Sequence, residues 1–313
     1  MQVASLLATS WICSIAGRVL PRHIRETPNT IAMKLSNCDT SLLAALIVMI
    51  LTGNCLAQYC WLHDHDSSNS IYNRIPVPDE YRRIKVEEGS FQDWLRHLPL
   101  KKGNPPIFLY NGKKKFNQLA NFAVIDIDVG EKDLQQCADA VIRLRTEYLY
   151  SGGKYESIAF NFSSGDRFRY ADWLDGLTPV VDAGGVHWEE GPKRENNRAN
   201  FREYLEIVFT YAGSYSLSKE LVKVEGINEI QIGDVFIEGG FPGHAVIVVD
   251  VAQKPETGDK IFLLAQSFTP AQDMHILKNP VNWSLSPWFK LNLGGRLVIL
   301  EWIFKENQLM RFR

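Results

Sequence analysis

The run GDVFIEGGFPGHAVIVVD, residues 233–250, decides the fold class of this chain. Val235, Phe236 and Ile237 are followed by the apolar stretch 245–249, and both are rich in the β-branched and aromatic residues that favour strands. Gly239-Gly240 and Pro242-Gly243 between them mark a reversal of the chain. Working outward, IFLLAQS at 261–267 and RLVILEWIF at 296–304 read as further strands, and 253–259 reads as a hairpin connection. Upstream, 131–150 and 201–213 carry helical periodicity. A mixed first half therefore leads into a mostly antiparallel sheet. That order predicts an α+β domain with a helix packed centrally on the sheet, not repeated βαβ units.

In the helix predicted over 131–150, Cys137, Val141, Leu144 and Tyr148 share one stripe. Asp133 is its cap candidate and Gly152-Gly153 its stop. Arg143, Arg145 and Glu147 read as the solvated or partly paired side. Ser90 is placed to cap a shorter helix carrying Phe91, Trp94, Leu95 and Leu98.

Residues 1–57 read as an upstream segment and an export signal. Lys34 gives a short positive start and LLAALIVMIL at 42–51 an apolar core. Gly53 and Asn54 break the helix, and Ala57 offers a small residue at the cleavage point. The apolar core is shorter than the roughly 20 residues a membrane span needs. Met33 is the expected start of translation, because residues 1–32 fit poorly ahead of such a signal. LTGNC at 51–55 loosely matches a lipid-attachment signal, which leaves a lipid anchor open beside free periplasmic or secreted release. The polar stretch 58–75 reads as a flexible leader, and a single domain is expected over 76–313. His63-Asp64-His65-Asp66 is read as solvated rather than metal-binding, since nothing else in the sequence completes a ligand set.

The formal charge of −2 gives no electrostatic case for nucleic acid. No membrane span is expected after residue 57. The chain has no P-loop, no dinucleotide-binding glycine turn and no metal motif of trustworthy spacing, so no cofactor is expected.

The chemistry-bearing residues cluster around the opening stretch. His244 stands at the mouth of a strand directly after Pro-Gly, so its backbone is fixed and its ring lies near an edge, as a general base requires. It also reads as a simple hairpin cap. Gln266, on the next strand, is placed to hold the second ring nitrogen. Cys137 has three open readings: a nucleophile, a core cysteine, or a disulfide partner of Cys60 in an oxidising compartment. Ser267 and His275 belong to a polar segment placed either to wall a pocket beside His244 or to form an ordered loop. His275 is also a substitute partner for the thiol. Arg167 and Trp173 suit a polar ligand with apolar faces, and Trp173 reads equally as core.

With Cys137 near a helix start, His244 opening a strand and Gln266 on the following one, the chain resembles papain-like cysteine peptidases, in particular the bacterial NlpC type. The resemblance rests on 233–267 and one helix. It implies a papain-like or NlpC-like fold in which Cys137 attacks, His244 serves as acid and base, and Gln266 orients the ring. The substrate it implies is an amide of a peptide or cell-wall fragment. Backbone N–H groups at the helix start, with Gln136, would hold the oxyanion. Nearly the whole chain after residue 57 also resembles a family of exported bacterial proteins with no established activity. That likeness is carried by DIDVG at 126–130, DLQQCADAVIRLRTEY at 133–148, PGHAVIVVD at 242–250 and LAQSFTPAQDMH at 264–275. A second class of function stays open: a non-catalytic periplasmic binding or assembly protein with its ligand pocket near His244.

Overall fold

A computed structural model describes residues 58–313. The expected export signal lies outside the described residues. Among the described residues, six α-helices are α1 (Ile71–Arg74), α2 (Phe91–Arg96), α3 (Cys137–Ser151), α4 (Tyr170–Leu174), α5 (Arg198–Tyr211) and α6 (Ser214–Glu220). The main sheet has nine strands: β1 (Arg82–Arg83), β2 (Asn121–Val124), β3 (Val222–Lys223), β4 (Val235–Glu238), β5 (His244–Gln253), β6 (Lys260–Gln266), β7 (His275–Leu277), β8 (Phe289–Lys290) and β9 (Leu309–Arg311). Its spatial order is β2-β7-β6-β5-β4-β9-β3, with β1 paired to β5 and β8 to β6, all antiparallel. The α+β expectation is met: helices pack against an antiparallel sheet.

β5 is central because both of its faces are covered. Every residue from His244 to Ala252 is buried, which is why residues 245–249 read as a continuous rather than alternating apolar run. Burying each of its Val and Ile side chains contributes roughly 1.5–3 kcal/mol of transfer free energy. α2 and α3 both pack on it. Register places Glu238 opposite His244 and Ala265 opposite Ile247. Gln266 therefore lies diagonally across from His244 on the same face, and directly opposite His275.

Four expectations change. Helix α3 starts at Cys137, not near Asp133. Asp133 is spent elsewhere, accepting from the Ala271 N–H at 2.7 Å and the Gln136 amide at 3.1 Å. The carboxylate that reaches back to the helix start is Asp139, which accepts the Gln136 N–H at 3.1 Å. The end is as read: Gly153 takes a φ of 67° after the last turn. Second, Arg143 and Glu147 are not solvated. Both are fully buried and paired at 2.7 Å, with Arg198 reaching Glu147 at 2.7 Å and Arg143 reaching Asp128 at 2.9 Å. Third, 296–304 is not one strand but a hairpin, Arg296–Val298 against Ile303–Lys305. Fourth, the expected leader 58–75 sends Tyr59, Ile71 and Ile75 into the core. Its apolar residues are few but spaced to land there, and the Tyr59 hydroxyl donates to the Trp94 carbonyl at 2.9 Å.

Candidate functional site

His244 enters β5 from a turn that only glycine can make. A Cβ on Gly243 would lie 2.5 Å from the Gly240 carbonyl oxygen and 2.7 Å from that of Glu238. Those are backbone atoms that cannot step aside. The ring is 1 % exposed and caged by Phe268, Trp302 and Phe304, the last stacked at 5.8 Å. Its Nε2 meets Gln266 Oε1 at 2.9 Å. A side-chain carbonyl only accepts, so Nε2 carries the hydrogen and Nδ1 keeps its lone pair. Burial pulls the imidazole down to about 4, partly offset by the Gln266 bond and the Glu301 charge.

Cys137 is the first residue of α3, where the helix dipole favours an anion. It is a free thiol, so the bridge to Cys60 is not formed. The N–H of Ala245, the residue after His244, hydrogen-bonds the sulfur. Burial pushes the thiol up to about 11 and the nearby Asp139 charge adds to the rise, while the amides of Ala245, Ala138 and Cys137 itself pull the other way. The two groups thus rest as a thiol and a neutral imidazole.

Asp139 is buried, and its Oδ1 has no hydrogen-bond partner. Burial holds its carboxyl well above the ordinary range. The Asp139 charge opposes the thiolate. Asp139→Asn keeps an acceptor for the Gln136 N–H and removes that charge. The Cys137 titration midpoint is expected to fall from about 11, with faster alkylation at about pH 8. An iodoacetamide rate profile against pH checks this. An unmoved midpoint would mean that Asp139 does not bear on the thiol.

Cys137 and His244 line one cavity of about 880 Å³. Its walls include Phe241, Tyr215, Phe268 and Trp302, with Ser214 and Thr269 as polar members. Phe241 and Tyr215 project to solvent at the rim. The cavity offers aromatic faces, a nucleophile and a base, with no Lys or Arg in its lining.

The other expected site residues fall elsewhere. Ser267 is fully buried; its hydroxyl lies 3.1 Å from the Gln135 carbonyl and 2.9 Å from that of Gln272, so it ties the end of β6 to the segment before α3. His275 sits behind Gln266, with Nδ1 on the Asp273 carbonyl at 3.0 Å and Nε2 facing the Gln266 amide at 3.4 Å. Neither lines the cavity. Arg167 lines a separate cavity of about 280 Å³ with Arg145 and Lys219, and neither Cys137 nor His244 lines that one. Trp173 is buried under the Arg194 guanidinium, with its indole N–H on the Asn200 carbonyl at 3.0 Å. Ser267 and His275 therefore form ordered ties behind the cavity and do not wall it, Trp173 takes its core reading, and Arg167 stays exposed with Glu220 at 3.9 Å.

Two residues beyond the expected set shape the site. Gln266 Nε2 donates to Glu301 Oε2 at 2.6 Å. Lys115 Nζ reaches Glu301 Oε1 at 2.6 Å, an ion pair whose angle is poor for a hydrogen bond. Glu301 had a signal in the sequence: it is the single acid inside the apolar run 297–304. Among the described residues, no group of three or more His, Cys, Asp or Glu is placed to hold a metal ion. None of the described helices is long and apolar enough to cross a membrane.

Fold and site together define an α+β domain in which a helix start and a strand start bring a free cysteine and an amide-held histidine to one cavity. The chain belongs to the family described as domain of unknown function 4846, whose model matches residues 71–311. No curated protein and no solved structure gives a match.

Proposed function

We propose that this domain is an exported cysteine hydrolase of papain-like, NlpC-type arrangement, acting on an amide of a peptide or cell-wall fragment. One observation carries the reading: a free thiol at the first position of α3 shares a cavity with His244, whose Nε2 is held by Gln266. The alternation of thiol and imidazole then follows ordinary acyl transfer. His244 Nδ1 takes the Sγ proton as sulfur bonds to the carbonyl carbon. The oxyanion is met by first-turn N–H groups of α3, which lack partners within the helix. The imidazolium gives its proton to the amine as the C–N bond breaks, leaving a thioester. Water, deprotonated by His244, attacks the thioester and releases the acid and the thiol. The aromatic walls suit the apolar faces of a sugar or side chain.

A rate profile for Cys137 alkylation tests the pair. With His244 as the base, the rate should stay level from about pH 8 down to about pH 5, and fall only as the ring protonates near 4. In His244→Ala the thiol must ionise unaided. Its rate should then climb about tenfold per pH unit towards the thiol value near 11. Superimposable profiles for the two proteins would sink the hydrolase reading and favour a non-catalytic ligand cavity.

A further inference from the structure

A glutamine is an ambiguous partner for a histidine. Its amide presents an acceptor and a donor of nearly equal shape, and a half-turn about the last side-chain bond exchanges them. Facing His244 with Oε1, Gln266 demands the Nε2–H tautomer and leaves Nδ1 free to accept. Facing it with Nε2, the same side chain would demand the Nδ1–H tautomer, which cannot take a proton from a thiol. Something must settle the choice. Glu301 Oε2 lies 2.6 Å from Gln266 Nε2, and a carboxylate can only accept. Lys115 Nζ holds the other carboxylate oxygen at 2.6 Å, with the two side chains only 9 % and 10 % exposed. The lysine charge at one carboxylate oxygen fixes the carboxylate in place and leaves the other oxygen turned to the Gln266 amide nitrogen. His275 adds a second constraint of the same sign: its Nδ1 faces the Asp273 carbonyl at 3.0 Å, so Nδ1 carries the hydrogen and Nε2, 3.4 Å from the Gln266 amide nitrogen, can only accept. Every neighbour of that nitrogen is therefore an acceptor.

We propose that the Lys115–Glu301 ion pair is a positioning element that locks the Gln266 amide and thereby selects the His244 tautomer able to deprotonate Cys137. Its catalytic meaning rests on the hydrolase reading above; the tautomer itself does not. The chain of control runs Lys115, Glu301, Gln266, His244, and its far end lies outside the Cys137 cavity, whose lining includes neither Lys115 nor Glu301.

The test reads the tautomer directly, on full-length protein, by long-range imidazole ¹⁵N–¹H correlation. Wild type should show His244 as the Nε2–H form. Glu301→Ala should shift it to a mixture or to the Nδ1–H form, with a loss of about 10- to 100-fold in the Cys137 alkylation rate at neutral pH. Lys115→Met should move it the same way, because it frees the Glu301 carboxylate from the contact that aims it at Gln266 Nε2. Glu301→Gln, which retains one acceptor, should retain more of the wild-type tautomer and rate than Glu301→Ala, and it serves if the alanine variant does not fold. A loss of stability alone would leave the tautomer unmoved. His244 remaining fully Nε2–H in the Glu301 and Lys115 variants overturns the proposal. Failure of the hydrolase reading looks different: His244→Ala would then alkylate like wild type, whatever the tautomer does.

Discussion

Cys137→Ala is expected to remove amide hydrolysis and thiol labelling together while leaving the domain folded. The expected loss is about a thousandfold or more in turnover, because Cys137 is the cysteine that lines the cavity with His244, and a hydroxyl is a far weaker nucleophile than a thiolate. Ser163, Thr210, Ser214 and Thr269 also line it, but three of these hydroxyls are engaged: Ser214 Oγ lies 3.1 Å from the Gly240 carbonyl, Thr210 Oγ1 donates to the Glu206 carbonyl at 2.7 Å, and Thr269 Oγ1 donates to Gln136 Oε1 at 2.9 Å. None of them stands at the start of the long helix α3, though Ser214 opens the short helix α6. The cost to the fold should be small, about 1 kcal/mol, since one sulfur atom leaves a site that already borders a cavity. Mass spectrometry of wild type after exposure to peptide or cell-wall amides should capture a thioester on Cys137. Circular dichroism of the variant should match wild type. An amide cleaved equally well by both proteins would place the chemistry elsewhere.

The parts of this site that the sequence disclosed are those whose information is local. A strand that is apolar on both faces reads as one run, and residues 245–249 do so. A histidine after Pro-Gly reads as a strand entry, and the packing around Gly243 explains why. The Cys, His, Gln order was legible because Gln266 lies on the strand neighbouring that of His244. The first turn of α3 was not, because two aspartates compete for the helix start. Asp133 sits earlier and looks the better cap, yet a backbone N–H at Ala271 recruits it from far along the chain. Arg143 and Glu147 look like a solvated pair at helical spacing, and only the arrival of Arg198 and Asp128 makes their burial affordable. Arg167 and Trp173 suit a polar ligand by residue chemistry alone, and chemistry without register does not place a side chain. Lys115 and Glu301 needed both: each lies in sequence remote from Gln266, and the hairpin turn that delivers Glu301 is hidden inside an apolar run.

The second large effect lies at the other end of the same strand. Asp250→Ala is expected to destabilise the domain by about 3–5 kcal/mol, the usual cost of stripping one partner from a buried ion pair. Asp250 is fully buried. Its Oδ2 meets Arg83 Nε at 2.6 Å and its Oδ1 meets Arg96 Nε at 2.7 Å, with the Val251 N–H on Oδ1 at 2.9 Å. Each arginine also donates onward, Arg83 to the Ile75 carbonyl at 2.7 Å and Arg96 to that of Ile84 at 2.9 Å. One carboxylate therefore fastens β1, α2 and the segment after α1 to the central strand. Alanine would leave two guanidinium groups facing a void, Arg96 only 5 % exposed. Neither can shed its charge by losing a proton at neutral pH, so the desolvation cost stands in full. Against a typical total of about 5–15 kcal/mol for a domain, such a loss takes a large share of the stability. Urea unfolding should show a lower midpoint at unchanged slope. Removing the charges together sharpens the test. Asp250→Leu combined with Arg96→Met and Arg83→Met should recover most of the loss, because the penalty belongs to the unpaired charges and not to the missing bonds. If the triple variant is as unstable as Asp250→Ala, the carboxylate contributes through its backbone bond to Val251, and the ion pairs are incidental.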